Sequence, residues 1–169
     1  DCRILFAMPP DFFKSRHEFV NDYSSHTNMI ESILTAIRCK TKSNVTISLH
    51  PSTSLDKYYQ SNLENNFDVT FTNESIENLL AHCSHFIASM SSTIRWAMSL
   101  GIPVLNSDLY RFNYNDYEGA KNYIRVDSHK DFVNTLHAFL KLNHEVTSDE
   151  RKYWGSIDGD AEVRILTSI

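Results

Sequence analysis

The sequence lacks several features that mark common classes of protein. No run in its 169 residues approaches the roughly 18 uninterrupted apolar residues of a membrane span. Lys and Arg number 16 against 21 Asp and Glu, and the resulting net charge of -5 disfavours a general nucleic-acid-binding surface. The three cysteines are widely spaced and form no CxxC motif, which favours a reduced, cytoplasmic setting.

Motifs for several chemistries are missing as well. The sequence has no GxGxxG turn, no Walker-type lysine loop and no nucleophile elbow for Ser-His-Asp catalysis. His82, Cys83 and His85 are close in sequence, but they straddle a predicted helix end and strand start, so their side chains should diverge. The sequence therefore predicts no metal site and no bound cofactor.

What is present is a regular alternation of predicted strands and helices. Apolar or β-branched runs predict strands at 3–8, 44–49, 67–72, 84–89 and from residue 103. Helical patterns predict helices at 26–40, 53–65, 75–82, 91–100 and 131–142, and 11–25 is interpreted as a long loop with room for a helical turn. This order predicts an α/β fold over residues 1–142, in which a parallel sheet carries helices on both faces. Residues 143–169 are expected to form a tail or a helix that packs outside this core.

Ligands of such folds bind beyond the carboxyl ends of the strands, so the loops there are the candidate sites. Ser91, Ser92 and Thr93 follow one of the predicted strands and precede a predicted helix. Backbone N–H groups and small hydroxyl side chains at a helix start favour a bound phosphate. The alternative is that Ser91 or Ser92 only caps the helix.

His50 follows the strand at 44–49 and is held by Pro51, so it should lie in the same crevice. An imidazole there can donate to a phosphate or stabilise charge on a leaving group, unless it only satisfies a loop carbonyl. The loop after the first strand offers Lys14 and Arg16 as phosphate contacts, with an ordinary solvated loop as the alternative.

The loop after residue 107 is rich in aromatic and asparagine residues. Its candidate binding residues are Asp108, Tyr110 and Glu118. Aromatic rings stack on sugars and bases, and binding residues favour loops at this edge of a sheet. The alternative is a large surface loop that only packs against the domain.

Two of these motifs carry a resemblance to a known family. The first motif resembles the C-terminal domain of GT-B glycosyltransferases and of the related UDP-N-acetylglucosamine 2-epimerases. It consists of a strand, Ser91-Ser92-Thr93, a helix, and then Leu-Gly-Ile-Pro-Val at 100–104. His50-Pro51 is similar to the His-Pro motif of bacterial sialyltransferases, polysialyltransferases and the polyol-phosphate polymerases of wall teichoic acid synthesis. The resemblance covers roughly residues 3–142. It departs from the family at Trp96, where many GT-B enzymes carry a ribose-binding glutamate.

The resemblance implies a Rossmann-like domain, one half of a GT-B fold, that binds a CMP-, CDP- or UDP-linked sugar. In the family the His-Pro histidine and the serine pair hold the donor phosphates, which makes His50 the expected catalytic residue. The loop after the strand that begins at residue 103 faces the sugar and the acceptor in the family, which implies that role for Asp108, Tyr110 and Glu118. The expected reaction transfers the sugar to a glycan acceptor in bacterial surface polysaccharide synthesis, in the cytoplasm or at the periphery of the inner membrane. A general base would come from an N-terminal domain, separate or missing, so the chain alone is expected to bind the donor without catalysing transfer.

Two other interpretations stay open. One is the half-domain of a UDP-N-acetylglucosamine 2-epimerase, which would need carboxylates in the cleft. The other is a nonenzymatic α/β module that binds a partner protein or a phosphorylated ligand, which buried hydroxyls at Ser91 and Ser92 would favour.

Overall fold

One sheet of six parallel strands forms the centre of the domain. The computed structural model describes residues 3–16, 18, 20, 22–50, 53 and 55–144. Within them the strands are β1 (Arg3–Met8), β2 (Asn44–Leu49), β3 (Val69–Thr72), β4 (His85–Ala88), β5 (Val104–Ser107) and β6 (Tyr123–Val126). The helices are α1 (Phe13–Arg16), α2 (His26–Lys40), α3 (Lys57–Phe67), α4 (Ile76–Leu80), α5 (Ile94–Ser99) and α6 (His129–Phe139). From residue 145 onward, the predicted tail or helix lies outside the described residues.

The strand order explains where a crevice opens in this sheet. The order is β3-β2-β1-β4-β5-β6, and every neighbouring pair is parallel. The predicted α/β fold with a Rossmann-like parallel sheet is therefore confirmed. The chain adds strands first on one side of β1 and then, from β4, on the other. The connections that leave β1 and β4 consequently run to opposite faces of the sheet, and this leaves a crevice at their carboxyl ends.

Alternate strand residues face two separate apolar layers. In β1, Phe6 packs in the layer of α2 and α6, whereas Leu5 packs in the layer of α4 and α5 on the other face. The helices thus cover both faces, as predicted. The apolar side of α2 that the sequence predicts is buried throughout and consists of Met29, Ile30, Ile33, Leu34 and Ile37. Among the described residues, none of the helices has the length and apolar character needed to cross a membrane.

The differences between predicted and observed elements are local. The predicted bounds of α2 and β2 are confirmed. The sequence predicts no strand at β6, because its four residues show no alternation of apolar and polar side chains. In the structure only Tyr123 and Val126 of this strand are buried. Its position is set instead by pairing with β5. The helix predicted at 91–100 begins only at Ile94, because residues 92 and 93 form a turn.

Gly101 ends α5 and sets the path into β5. Its φ of 75° lies in the left-handed region that favours glycine. Its N–H donates to the Met98 carbonyl at 2.9 Å, and the Ile102 N–H donates to the Ala97 carbonyl at 3.0 Å. These are the two hydrogen bonds of a Schellman motif, which ends the helix at a left-handed glycine.

Arg38 connects the end of α2 to the end of α3 and the start of β3. Its guanidinium donates to the backbone carbonyls of Ser43 (2.6 Å), Phe67 and Asp68. Asp68 has a φ of 50°, so the chain turns sharply between α3 and β3. These three hydrogen bonds of Arg38, here called the Arg38 clamp, therefore set the position of β3 at the edge of the sheet.

Replacing Arg38 by Met should lower the free energy of unfolding by about 1–3 kcal/mol, because methionine keeps an apolar stem but leaves the carbonyls without their donor. Urea denaturation measures the change. Lys40→Met, at an exposed residue of the same helix, is the control and should change the free energy by less than about 0.5 kcal/mol. Equal effects of the two substitutions would contradict the clamp.

Candidate functional site

A cleft of about 970 Å³ lies at the carboxyl ends of β1 to β5. The loops that follow these strands form its walls, so residues distant in sequence meet across one edge of the sheet. The cleft includes the junction of β1 and β4, which is where the topology of such a sheet predicts the ligand. Four of the predicted site residues meet there, namely His50, Ser91, Ser92 and Thr93.

The predicted phosphate ligands form a tight turn between β4 and α5. The hydroxyls of Ser91 and Thr93 hydrogen-bond each other at 2.6 Å, and the Thr93 N–H donates to the Ser91 Oγ at 3.3 Å. Ser92, between them, is exposed. The N–H groups of Ser91 and Ser92 have no acceptor among the described residues. The turn therefore offers N–H and O–H donors to the cleft, while Ser91 also satisfies part of the local backbone.

Met90 enters this turn in a strained backbone conformation. Its φ of 51° lies in the left-handed region, which residues with a side chain rarely adopt and which recurs at functional sites. Asn106 of β5 holds the conformation, since its Oδ1 accepts the Met90 N–H at 3.1 Å. Its Nδ2 donates to the Tyr123 hydroxyl at 2.7 Å. A buried residue of a central strand thus sets the geometry of the turn.

Asn106→Leu should lower the free energy of unfolding by about 1–3 kcal/mol, because the Met90 N–H and the buried Tyr123 hydroxyl lose their partner. The control is Ser107→Ala on the same strand, which removes one hydroxyl donor to the Ala88 carbonyl and should cost about 0.5–1.5 kcal/mol. Denaturant unfolding of the three proteins compares them. A cost for Asn106→Leu no larger than that for the control would contradict the role of Asn106.

His50 and two carboxylates lie on the β2 and β3 side of the cleft. His50 directly follows β2 and is exposed, and Pro51 lies outside the described residues. Glu74 and Glu77 follow β3 and are also exposed. No Lys or Arg is found among the described residues that line the cleft. An anion bound there would therefore depend on the imidazole and on neutral N–H and O–H donors.

Aromatic side chains line the cleft on the β4 and β5 side. Trp96 is 39% exposed and Tyr114 is 58% exposed. Phe112 stacks with Tyr114, their ring centroids 6.4 Å apart and their planes 3° from parallel. The Arg16 guanidinium lies 4.3 Å from the centroid of the Phe112 ring. The exposed ring faces are available to stack on a planar base or on a sugar.

The other five predicted site residues do not line the cleft in the described part of the chain. Lys14 in α1 is exposed, and Arg16 reaches the cleft only through its contact with Phe112. Glu118 is exposed in a turn before β6, whereas Asp108 and Tyr110 are completely buried.

Tyr110 belongs to a buried pair beside the cleft. Its hydroxyl lies 2.7 Å from Nδ1 of His26, the first residue of α2. Burial lowers the pKa of His26, although the negative charge of Asp11 acts in the opposite direction. Burial likewise raises the pKa of Tyr110. Both groups are therefore neutral at neutral pH, and one neutral hydrogen bond joins them.

The lowered pKa of His26 predicts how stability depends on pH. The unfolded chain takes up a proton at the ordinary histidine pKa of 6.5, whereas the folded chain resists it. Stability is therefore full above this value and falls as the pH drops below it, because protons bind preferentially to the unfolded chain. Replacing His26 by Gln should make the loss of stability between about pH 7 and pH 5 smaller.

Urea unfolding of both proteins at the two pH values measures this difference. Part of the pH dependence should remain in the variant, because burial also lowers the pKa of His85. An identical pH dependence in the wild type and His26→Gln would show that His26 does not resist protonation in the folded chain.

Comparison with known proteins leaves the family open. No protein-family model matches the chain, and a search of curated proteins found no match either. The GT-B resemblance therefore rests on its two motifs. The fold itself does not identify a function, because one fold serves many functions.

Reasoning from the sequence misses the acidic and aromatic lining of the cleft. Glu74 and Glu77 follow a predicted strand. Because ligands bind beyond the carboxyl ends of such strands, their position in the sequence is sufficient to predict that they line the cleft. Phe112 and Tyr114 lie in a loop that the sequence does implicate. Which of its aromatic rings face the cleft depends on the backbone of that loop, for which the sequence carries no comparable signal.

Proposed function

We propose that the cleft binds a nucleotide-linked sugar and that the chain is the donor-binding domain of a glycosyltransferase. One observation carries the proposal. The parallel sheet brings His50 and the turn at 91–93 into one cleft, although they are far apart in sequence. These are the two parts of the chain that resemble GT-B motifs, and they meet at the edge of the sheet where ligands of such folds bind.

The donor phosphate is assigned to the space between His50 and the serine turn. The N–H groups of Ser91 and Ser92 and the exposed Ser92 hydroxyl supply donors, and the His50 imidazole supplies a further one. When the bond between sugar and phosphate breaks, negative charge develops on the phosphate oxygens, and donors already in place stabilise it. This stabilisation is the catalytic role proposed for His50.

The two ends of the cleft suit different parts of the donor. The exposed rings of Trp96 and Tyr114 suit the base, since stacking on an aromatic side chain is worth about 1–3 kcal/mol per base. Trp96 occupies the position where many GT-B enzymes carry a ribose-binding glutamate, so stacking takes the place of that contact. The carboxylates of Glu74 and Glu77 can accept hydrogen bonds from sugar hydroxyls.

Sugar transfer also needs an acceptor and a base that removes its proton. In the enzymes that the motifs resemble, this base usually comes from the second domain of the GT-B fold or from the cleft. We therefore propose that the chain binds the donor nucleotide alone and that transfer requires this second domain together with a glycan acceptor.

One observation favours a second candidate, the half-domain of a UDP-N-acetylglucosamine 2-epimerase. Such an enzyme needs carboxylates in its cleft, and Glu74 and Glu77 line this one. The nonenzymatic module has less support. It is the interpretation that buried serine hydroxyls would favour, whereas Ser92 is exposed and Ser91 is only half-buried.

Nucleotide titration tests the proposal. In a Trp154→Phe background Trp96 is the sole tryptophan of the chain, so its fluorescence reports on the cleft. CMP, CDP, UDP and GDP are titrated in turn, and at least one should quench the emission. His50→Ala should then weaken binding roughly tenfold or more and Ser92→Ala roughly two- to tenfold, as expected for a charged and a neutral hydrogen bond.

Glu118→Ala changes an exposed carboxylate outside the cleft and should bind like the parent protein. Preference for CMP or CDP, with loss in both site variants, supports the glycosyltransferase. Preference for UDP argues against the CMP- or CDP-linked donor and leaves the epimerase half-domain as an alternative to a UDP-dependent glycosyltransferase. Absence of binding by all four nucleotides at millimolar concentration would contradict the proposal.

A further inference from the structure

Asp108 is a charged side chain with an exposed fraction of 0%. It directly follows β5, and its carboxylate accepts four hydrogen bonds. Arg125 of β6 donates two of them to Oδ2, from Nε at 3.2 Å and from Nη2 at 2.9 Å. The Phe112 N–H donates to Oδ1 and the Asn113 N–H to Oδ2, both at 2.9 Å. One buried carboxylate therefore organises the backbone of the loop that leaves β5.

A buried ion pair is by itself a poor source of stability. Removing the two charges from water offsets most of their attraction, and well-packed apolar residues often stabilise a fold as well. The conformation that the Asp108–Arg125 pair imposes on the loop is therefore the better reason for its presence. Arg111 and Asn113 have φ values of 51° and 59°, in the region that side chains disfavour, and the pair's hydrogen bonds hold this backbone in place.

Arg125 extends the network along the loop. Its Nη2 donates to Asn113 Oδ1 at 2.6 Å, and its Nη1 donates to Asn115 Oδ1 at 3.3 Å. Asn113 and Asn115, whose side chains accept hydrogen bonds from Arg125, therefore alternate along the loop with the aromatic residues Phe112 and Tyr114. Both residues line the cleft, and Tyr114 is more than half exposed.

We propose that Asp108 is a positioning residue that holds Phe112 and Tyr114 in place for the base of the bound nucleotide. The inference rests on the proposed function, in which the aromatic end of the cleft binds that base. The role differs from the sugar or acceptor contact that the sequence predicts for Asp108, because its carboxylate does not touch the ligand. Its effect on binding accordingly depends on the presence of Tyr114.

Amide hydrogen exchange in the ligand-free chain tests whether Asp108 holds the loop. Asp108→Asn keeps the size of the side chain but replaces one carboxylate oxygen by an amide group that cannot accept a hydrogen bond. The Phe112 and Asn113 N–H groups donate to different oxygens of Asp108, so the one that loses its acceptor should exchange about tenfold faster or more, while amides of β1 and α2 exchange as before. Asp116→Asn, the same change at an exposed residue of the same loop, is the control and should have no effect. Unchanged exchange at Phe112 and Asn113 would overturn the proposal.

CMP binding, followed by Trp96 fluorescence in the Trp154→Phe background, tests the connection to the ligand. Asp108→Asn should raise the Kd for CMP roughly five- to tenfold when Tyr114 is present, and less than about twofold in a Tyr114→Ala background. An equal rise in both backgrounds would overturn positioning through Tyr114. If CMP, UDP, CDP and GDP all fail to bind the parent protein, the proposed function fails, and the exchange result alone decides whether Asp108 holds the loop.

Arg125→Lys provides a second variant in case Asp108→Asn does not fold. It keeps a positive charge beside Asp108, but one ammonium group cannot reach Asp108, Asn113 and Asn115 together. The exchange and binding changes should have the same direction and a smaller size. Wild-type behaviour of a folded Arg125→Lys in both measurements would count against the proposal.

Discussion

β1 pairs along both of its edges, and the position of the cleft depends on this. Residues 3–8 pair with β2, and residues 4–7 pair with β4. The alternation of Phe6 and Leu5 between the two apolar layers fixes the register, because a slip by one residue would exchange the faces of the strand. The chain adds β2 and β3 on one side of β1 and then β4, β5 and β6 on the other, so the right-handed connections after β1 and β4 leave on opposite faces. The crevice between them is therefore a consequence of the core and needs no separate structural feature.

The walls of the cleft depend on polar groups buried behind it. Asn106 and Asp108 are at most 1% exposed, and both accept hydrogen bonds from the backbone of loops that reach the cleft. A buried polar group that loses its partner is costly, so each of these side chains penalises other conformations of its loop. The apolar core thus determines where the cleft lies, and the polar side chains of β5 and β6 determine its shape.

Features of the fold and of the site are predictable from the sequence where they depend on interactions between residues close in the chain. The bounds of α2 are predictable because helical spacing is a local signal. His50 and the serine turn are predictable because they directly follow strands, and parallel strands end at one edge of a sheet. β6 is not predictable, since a four-residue strand is defined by pairing with β5 across a long loop. The orientation of Phe112 and Tyr114 is not predictable either. It depends on Arg125 of β6, which follows them in the chain and contacts their loop through the fold.

Backbone geometry points to the same cleft without reference to any motif. Among the described residues, the non-glycine residues with left-handed φ are Asp68, Met90, Arg111 and Asn113. Met90 lines the cleft, and Arg111 and Asn113 flank the lining residue Phe112. Asp68 lies at the opposite edge of the sheet, before β3. Three of these four residues thus lie at the edge that carries the cleft, and strain that buried side chains maintain is the pattern expected where conformation serves binding. This argument would remain valid for a ligand other than a nucleotide-linked sugar, because it depends on the shape of the loops and on the buried groups that hold them.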